Sequence, residues 1–234
     1  MFSFDKINFS IMSGAIAGIF SSIMWFILPI LHPGYNPIAS NVSLLALGPF
    51  GWIQTIVFFI TGFFTFLFAF AVNNHFKHSK NEIFGKLGAI FLAISAIGLI
   101  CAGVFTTDPS FAYHPNMDLS TLNEISGSLP FSLTLTGFLH KFFASFIFIG
   151  ISVSILIFSR YFSIENNLKW KWYSIISAIV SLLAFIILLI SMSRLFGLDS
   201  FTGLIQRVSL FSGLLWIVLF SFYLLKNNNI PKDK

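Results

Sequence analysis

The stretch "IQTIVFFITGFFTFLFAFAV", Ile53–Val72, decides the fold class of this chain, because it runs for 20 residues without a charged side chain. A helix of that length rises about 30 Å, which is the thickness of the hydrocarbon core of a bilayer. The whole chain has a similar composition, since 56% of its 234 residues are hydrophobic and 9% are charged. Soluble domains carry about 25% charged residues. The sequence therefore predicts an all-α integral membrane protein.

Charged residues and prolines divide the chain into six apolar runs of about 20 residues each, and each run is long enough to cross a bilayer. We expect residues 1–234 to form a single six-helix transmembrane domain. The predicted spans are about 9–31, 53–72, 85–105, 138–159, 172–192 and 204–225.

The basic residues predict the orientation of these spans. Of the 13 lysines and arginines, only Lys141, Arg194 and Arg207 lie at one membrane face; the other ten lie at the opposite face, in the terminal segments and the second and fourth connections. Basic residues concentrate on the cytoplasmic side, so we expect both termini in the cytoplasm and a multi-pass location in the cell (inner or plasma) membrane. These lysines face anionic lipid headgroups, and the net charge of +5 therefore calls for no nucleic acid partner.

The connection between the first two runs has an unusual composition. It reads "HPGYNPIASNVSLLALGPFGW", His32–Trp52, with three prolines and no Lys, Arg, Asp or Glu. Prolines, glycines and asparagines are typical of ordered turns. We expect this segment, called the lid below, to pack over an outward-facing polar site.

The predicted topology brings polar residues from distant parts of the sequence to the membrane depth of the lid. Asp108 follows the carboxyl end of its helix, and Arg207 lies in the first turn of its own helix. Each charge therefore lies at the helix end where the helix dipole disfavours it. Because unpaired ions near lipid are costly, we predict an Asp108–Arg207 ion pair. The residues collected at this face are His32, Asp108, His140, Arg194, Gln206 and Arg207.

The long third connection, residues 106–137, contains more aromatic and aliphatic residues than a solvated linker. We expect it to be partly ordered over the same face. Its segment near Phe111 and Tyr113 should pack against the lid around Tyr35.

Four stretches of the chain resemble the signature segments of a bacterial and archaeal six-span family, domain of unknown function 998. They are "HPGYNPIASNVSLLALGPFGWIQ", "AGVFTTDPSFAYHP", "LTGFLHKFFAS" and "GLIQRVSLFSGLLW". The resemblance implies a six-helix membrane fold with these motifs at the outer face, and it implies no established reaction. Tyr35 falls in the proline-glycine-tyrosine turn of the family, Asp108 in its Thr-Asp-Pro motif, and Gln206 with Arg207 in its Gln-Arg pair.

His140 matches the second histidine of a His-Gly-x-x-His motif in the same family. This chain departs from the motif, because Thr136 stands where many relatives carry the first histidine. A metal site that uses both histidines is therefore not expected here, no metal ligands are assigned, and the sequence identifies neither a cofactor nor an oligomeric state.

Functions of different classes fit these residues. The protein could be a membrane enzyme or receptor-like binder whose cavity holds a lipid-like or small amphiphilic ligand. In that case His140 and Asp108 are a candidate acid–base pair, and the candidate ligand-binding residues are His32, Tyr35, Gln206 and Arg207. Alternatively, it is a structural or accessory membrane protein whose polar residues only fix helix packing, or a passive carrier for a neutral solute. Whether it is an enzyme stays open, and membrane lipids are its expected surroundings.

Overall fold

The structure, a computed structural model, describes residues 2–110, 112–115, 134–192 and 195–228. Six of its helices are long and apolar enough to cross a membrane. The predicted all-α, six-helix membrane fold is therefore confirmed. The helices are α1 (Phe2–Ile27), α2 (Gly51–Phe76), α3 (Glu82–Val104), α4 (Leu135–Ile164), α5 (Leu168–Met192) and α6 (Thr202–Asn228).

Several helices extend beyond the apolar runs that predicted them. For example, α2 continues past Val72 through two asparagines and His75, and α4 begins at Leu135 and ends at Ile164, beyond both predicted bounds. Hydrogen bonding within a helix does not stop where the hydrocarbon core stops. Hydropathy therefore located the spans but underestimated their length.

The six helices form a closed ring. Each helix packs against its neighbours along the chain, α6 returns to pack against α1, and α4 also touches α6 across the interior. Because the helices alternate in direction, the carboxyl ends of α1, α3 and α5 meet the amino ends of α2, α4 and α6. The end of the ring where they meet is called the lid end below.

Small and polar side chains join the helices inside the bundle. This is usual in membranes, because an apolar side chain gains little by leaving lipid for another helix. The hydroxyl of Ser152 on α4 donates to that of Ser181 on α5 over 3.1 Å, and Ser209 on α6 donates to the Ser181 carbonyl over 2.7 Å. Farther from the lid end, the fully buried indole of Trp216 donates to Ser174 over 2.8 Å. These bonds fix α4, α5 and α6 relative to one another.

The lid forms compact turns across its end of the ring. A 3₁₀ turn, Leu28–Leu31, leads out of α1, and a second, Val42–Ala46, precedes α2. Gly34 and Gly48 have φ values of +77° and +79°, a conformation that glycine adopts without steric cost. The two glycines therefore allow tight turns near both ends of the lid.

Candidate functional site

A cavity of about 110 Å³ lies beneath the lid. Residues from all six helices, from the lid and from the start of the third connection line it. Most of these side chains are hydrocarbon or aromatic. Some lining residues are polar. Besides serine, threonine and tryptophan residues, they are Asn41, Asp108, His140, Lys141 and Gln206. Such a mixture of apolar walls and a few polar groups is typical of small-molecule sites.

His140 is buried in the second turn of α4 and lines the cavity. Its Nδ1 atom lies 3.0 Å from the carbonyl oxygen of Ala102 and 2.7 Å from that of Phe105, at the end of α3. Carbonyl oxygens only accept, so Nδ1 carries the proton when the ring is neutral, and Nε2 then holds the lone pair. The end of α3 thus fixes both the ring orientation and the tautomer of His140.

Asp108 is buried against the amino end of α4 and also lines the cavity. One carboxylate oxygen accepts from the Thr134 hydroxyl over 2.7 Å, and the other accepts from the Thr134 backbone N–H over 3.2 Å. The Thr134 hydroxyl in turn accepts from the N–H of Gly137 and caps α4. A negative charge at a helix amino terminus is favoured by the helix dipole. The dipole of α4 therefore stabilises the carboxylate that the dipole of α3 disfavours.

The predicted Asp108–Arg207 ion pair is wrong. Arg207 instead donates through Nη1 to the carbonyl oxygens of Pro37, Ser40 and Gly203 over 2.6, 3.0 and 3.1 Å. The carboxylate of Asp108 lies close enough to His140 and Lys141 for electrostatic interaction with both. Arg207 therefore holds the backbone of the lid, whereas Asp108 belongs to the α3–α4 side of the cavity.

Tyr35 joins Arg207 to the lid. Nη2 of Arg207 donates to the Tyr35 hydroxyl over 2.8 Å, and the guanidinium carbon lies 5.8 Å from the centre of the ring. The Tyr35 hydroxyl is also 2.9 Å from the carbonyl oxygens of Ser40 and Asn41. Burial raises the pKa of Tyr35 to about 12, although the neighbouring Arg207 charge acts in the opposite direction. The phenol is therefore neutral and available as a donor.

His32 and Tyr35 of the lid form an aromatic cluster with Tyr113 of the third connection. The Tyr35 and Tyr113 ring centres are 5.4 Å apart with an edge-to-face geometry, and His32 lies 6.3 Å from Tyr113. Burial raises the pKa of Tyr113 above its ordinary value. The predicted packing of Tyr113 against the lid at Tyr35 is confirmed, whereas Phe111 lies outside the described residues.

The structure distributes the predicted site residues over two groups. Asp108, His140 and Gln206 line the cavity. His32, Tyr35 and Arg207 are buried behind it, where they hold the lid in place. Gln206 also belongs to the second group, because its side-chain oxygen accepts from the backbone N–H of Val42 over 2.6 Å. Arg194 lies outside the described residues.

Sequence reasoning missed several residues of the site. Thr134 has the Ser/Thr/Asp/Asn type expected of a helix N-cap, and this could have indicated it. Asn41 and Trp25 gave no such signal, yet both line the cavity, and the Asn41 Oδ1 and Trp25 Nε1 atoms are buried without a hydrogen-bond partner.

His32, a predicted site residue, donates to the Leu28 carbonyl oxygen through Nδ1 over 2.8 Å, and its Nε2 atom is buried without a hydrogen-bond partner.

In the part of the chain that the structure describes, no three side chains of His, Cys, Asp or Glu are grouped closely enough to share a metal ion. The charged side chains that line the cavity are Asp108 and Lys141.

The fold and this cavity define a six-helix integral membrane protein with a covered, partly polar pocket at one end of the helix ring. The chain belongs to the family described as "Protein of unknown function (DUF998)", whose model matches residues 15–223. The resemblance of the four quoted stretches is thereby confirmed. No curated protein and no solved structure matches the chain.

Proposed function

We propose that the protein binds an amphiphilic molecule in the cavity beneath the lid. The polar group of the ligand would lie among Asp108, His140 and Gln206, and its first hydrocarbon atoms would contact apolar side chains such as Ile147 and Leu210. The observation that carries this proposal is the cavity itself, whose polar groups sit beside a mainly apolar lining. An amphiphile matches that division better than a wholly polar solute does.

Unpartnered polar atoms support the same proposal. Trp25 and Asn41 line the cavity, and the Trp25 Nε1 donor and the Asn41 Oδ1 acceptor are buried without a hydrogen-bond partner. Leaving a buried polar group unsatisfied costs about 1–3 kcal/mol. A ligand with both donors and acceptors would recover part of this cost when the two side chains turn toward the cavity, which favours binding at this place.

The fixed tautomer of His140 favours a second, catalytic function at the same cavity. With Nδ1 held by two carbonyl oxygens, Nε2 is the atom that would take a proton from a bound molecule. Asp108 is near but forms its described hydrogen bonds with Thr134. In this proposal the two side chains act on the ligand from separate positions rather than as a directly bonded pair.

We further propose that the lid faces the outside of the cell. The described basic residues at the lid end are Lys141 and Arg207, whereas the opposite end carries Lys77, Lys80, Lys86, Arg160, Lys169, Lys171 and Lys226. This asymmetry supports a cytoplasmic location for the opposite end. The site would then be extracytoplasmic, in a plasma or inner membrane.

Native mass spectrometry of the detergent-purified protein tests ligand binding. The wild-type protein should carry a co-purifying amphiphile, and Ala102→Phe should lose it, because a phenyl ring at this cavity-lining position fills the space. Ile97→Phe is the matched control on the same helix, since Ile97 is exposed on the outer surface of α3. A wild-type protein without any bound molecule would contradict the proposal.

The alternative, in which the polar residues only fix helix packing, predicts a different result for the detergent-purified protein. A protein whose polar residues serve packing alone carries no ligand, and its melting temperature does not change when amphiphiles are added. The Arg207 contacts are compatible with this alternative, whereas the unpartnered cavity atoms favour binding.

A further inference from the structure

The side chains that line the cavity are not equally exposed. The lining residues of α1, α2, α3 and α6 are all buried, among them Trp25, Phe58, Leu99 and Gln206. The exposed and half-buried lining residues of the helices come from α4 and α5 alone. They are Lys141, Ala144, Ser145, Leu189 and Met192, and Leu189 has 46% of its surface exposed.

These five residues lie within two helices that are long and apolar enough to cross a membrane, and we infer that their exposed surface faces the bilayer. Ser145 is ten residues from the start of α4, or about 15 Å along the helix axis. At the level of Phe148 and Phe185, whose stacked rings are 4.6 Å apart, the two helices are in close contact. The helices therefore leave the cavity open sideways, between the lid-end parts of α4 and α5, while Asn41, Ser43, Pro109 and Ser110 leave it partly uncovered at the lid.

The size of the cavity agrees with a sideways opening. A volume of about 110 Å³ is less than that of an engineered cavity of about 150 Å³ that holds one benzene molecule. A whole lipid cannot fit inside. The terminal atoms of a headgroup can, and the other headgroup atoms and the acyl chains then lie in the opening between α4 and α5.

The charges at the opening select among headgroups. One carboxylate, Asp108, and one ammonium group, Lys141, line the cavity, and they are close enough to interact electrostatically. An anionic headgroup would be repelled by Asp108, and a cationic one by Lys141. A headgroup that carries both a phosphate and an ammonium group can pair with both side chains.

We propose that the ligand is a zwitterionic aminophospholipid that enters from the bilayer between α4 and α5, with its phosphate on Lys141 and its ammonium group on Asp108. This inference rests on the proposed binding function and names its substrate class and its route. The lid partly covers the cavity above the headgroup, and the acyl chains leave through the opening lined by Ser145 and Leu189.

Native mass spectrometry from lipid nanodiscs tests the headgroup. The nanodiscs contain equal amounts of a phosphatidylethanolamine and a phosphatidylglycerol. The wild-type protein should retain the ethanolamine lipid preferentially. Lys141→Gln should lower its occupancy about tenfold, the effect of losing one charge-assisted hydrogen bond, and Lys141→Arg should preserve it. Equal retention of both lipids, a preference for the glycerol lipid, or an unchanged Lys141→Gln variant would overturn the headgroup assignment.

A matched pair of serine variants on α4 tests the route. Ser145 and Ser159 are both half-buried, and each hydroxyl donates to the carbonyl oxygen three residues earlier. Ser145→Trp should block the opening and reduce lipid retention about tenfold or more, whereas Ser159→Trp, fourteen residues away, should not. Undiminished retention in Ser145→Trp would overturn the lateral route but leave cavity binding intact. A wild-type protein that carries no lipid would overturn the proposed function itself.

Discussion

Arg207 donates a hydrogen bond of 2.8 Å to Tyr35, a residue 172 positions earlier in the chain. Through this bond and two contacts of Arg207 with the carbonyl oxygens of Pro37 and Ser40, the first turns of α6 hold the lid that follows α1. The backbone agrees with this arrangement, since the N–H of Leu204 donates to the Ile38 carbonyl over 2.8 Å. The lid is therefore part of the folded bundle.

Double-mutant cycles should separate the partners of Arg207. Arg207→Gln and Tyr35→Phe share a hydrogen bond, so we expect a coupling energy of about 0.5–3 kcal/mol between them. Arg207→Gln and Asp108→Asn share no described partner, and their effects should add within about 0.5 kcal/mol. Thermal melting of all variants in one detergent measures both cycles. Strong coupling between positions 108 and 207 would contradict the contacts described above.

The raised pKa of Tyr35 should make stability depend on alkaline pH. The unfolded chain loses the phenolic proton near pH 10, whereas the folded protein keeps it to about pH 12. Between these values the unfolded state binds fewer protons, so the free energy of unfolding should fall as the pH rises, by up to about 3 kcal/mol. Tyr35→Phe should lack this component. Identical pH profiles for the two proteins would count against a buried, protonated Tyr35.

Gly137 should tolerate no larger side chain, because a Cβ atom there would overlap the Asp108 carboxylate and lie 2.7 Å from its Oδ1 atom. Gly137→Ala should displace Asp108 from the amino end of α4 and destabilise the protein by about 1–3 kcal/mol. Leu135→Ala is the control in the same helical turn, since Leu135 is 73% exposed. Melting temperatures that fall equally in both variants would argue against this contact.

Cysteine labelling in intact cells should report the orientation. In a Cys101→Ala background, Ile38→Cys places a thiol at an exposed lid position, and Lys77→Cys places one at the opposite end. A membrane-impermeant maleimide should modify the first and spare the second, and both should react after the membrane is disrupted. The reverse pattern would place the lid in the cytoplasm.

The fold followed from the sequence because an apolar run of about 20 residues has few alternatives to a membrane-spanning helix. Alternation in direction then required that His32, Asp108, His140 and Gln206 share one end of the bundle. This inference needs only the number of membrane spans. The side chains of distant helices were therefore assigned to the correct end of the bundle.

Pairing within that group did not follow from the sequence. The dipole argument assigned Asp108 to α3 alone, whereas its carboxylate lies against the first turn of α4 and bonds Thr134. The same argument predicted a carboxylate partner for Arg207. In the structure, four uncharged oxygens accept hydrogen bonds from its guanidinium group. Such contacts depend on the path of the connections, and turn composition does not specify that path.

The closure of the helix ring by α6 also determines when the site can exist. Chains emerge from the ribosome and fold from the amino terminus. During synthesis the lid emerges early, but Gln206 and Arg207, which bind its backbone at Val42, Pro37 and Ser40, belong to the last span. Five spans in the membrane would therefore leave the pocket without one wall and the lid without its anchor. Assembly of the cavity must therefore wait for α6, and a chain with five inserted spans has no finished pocket.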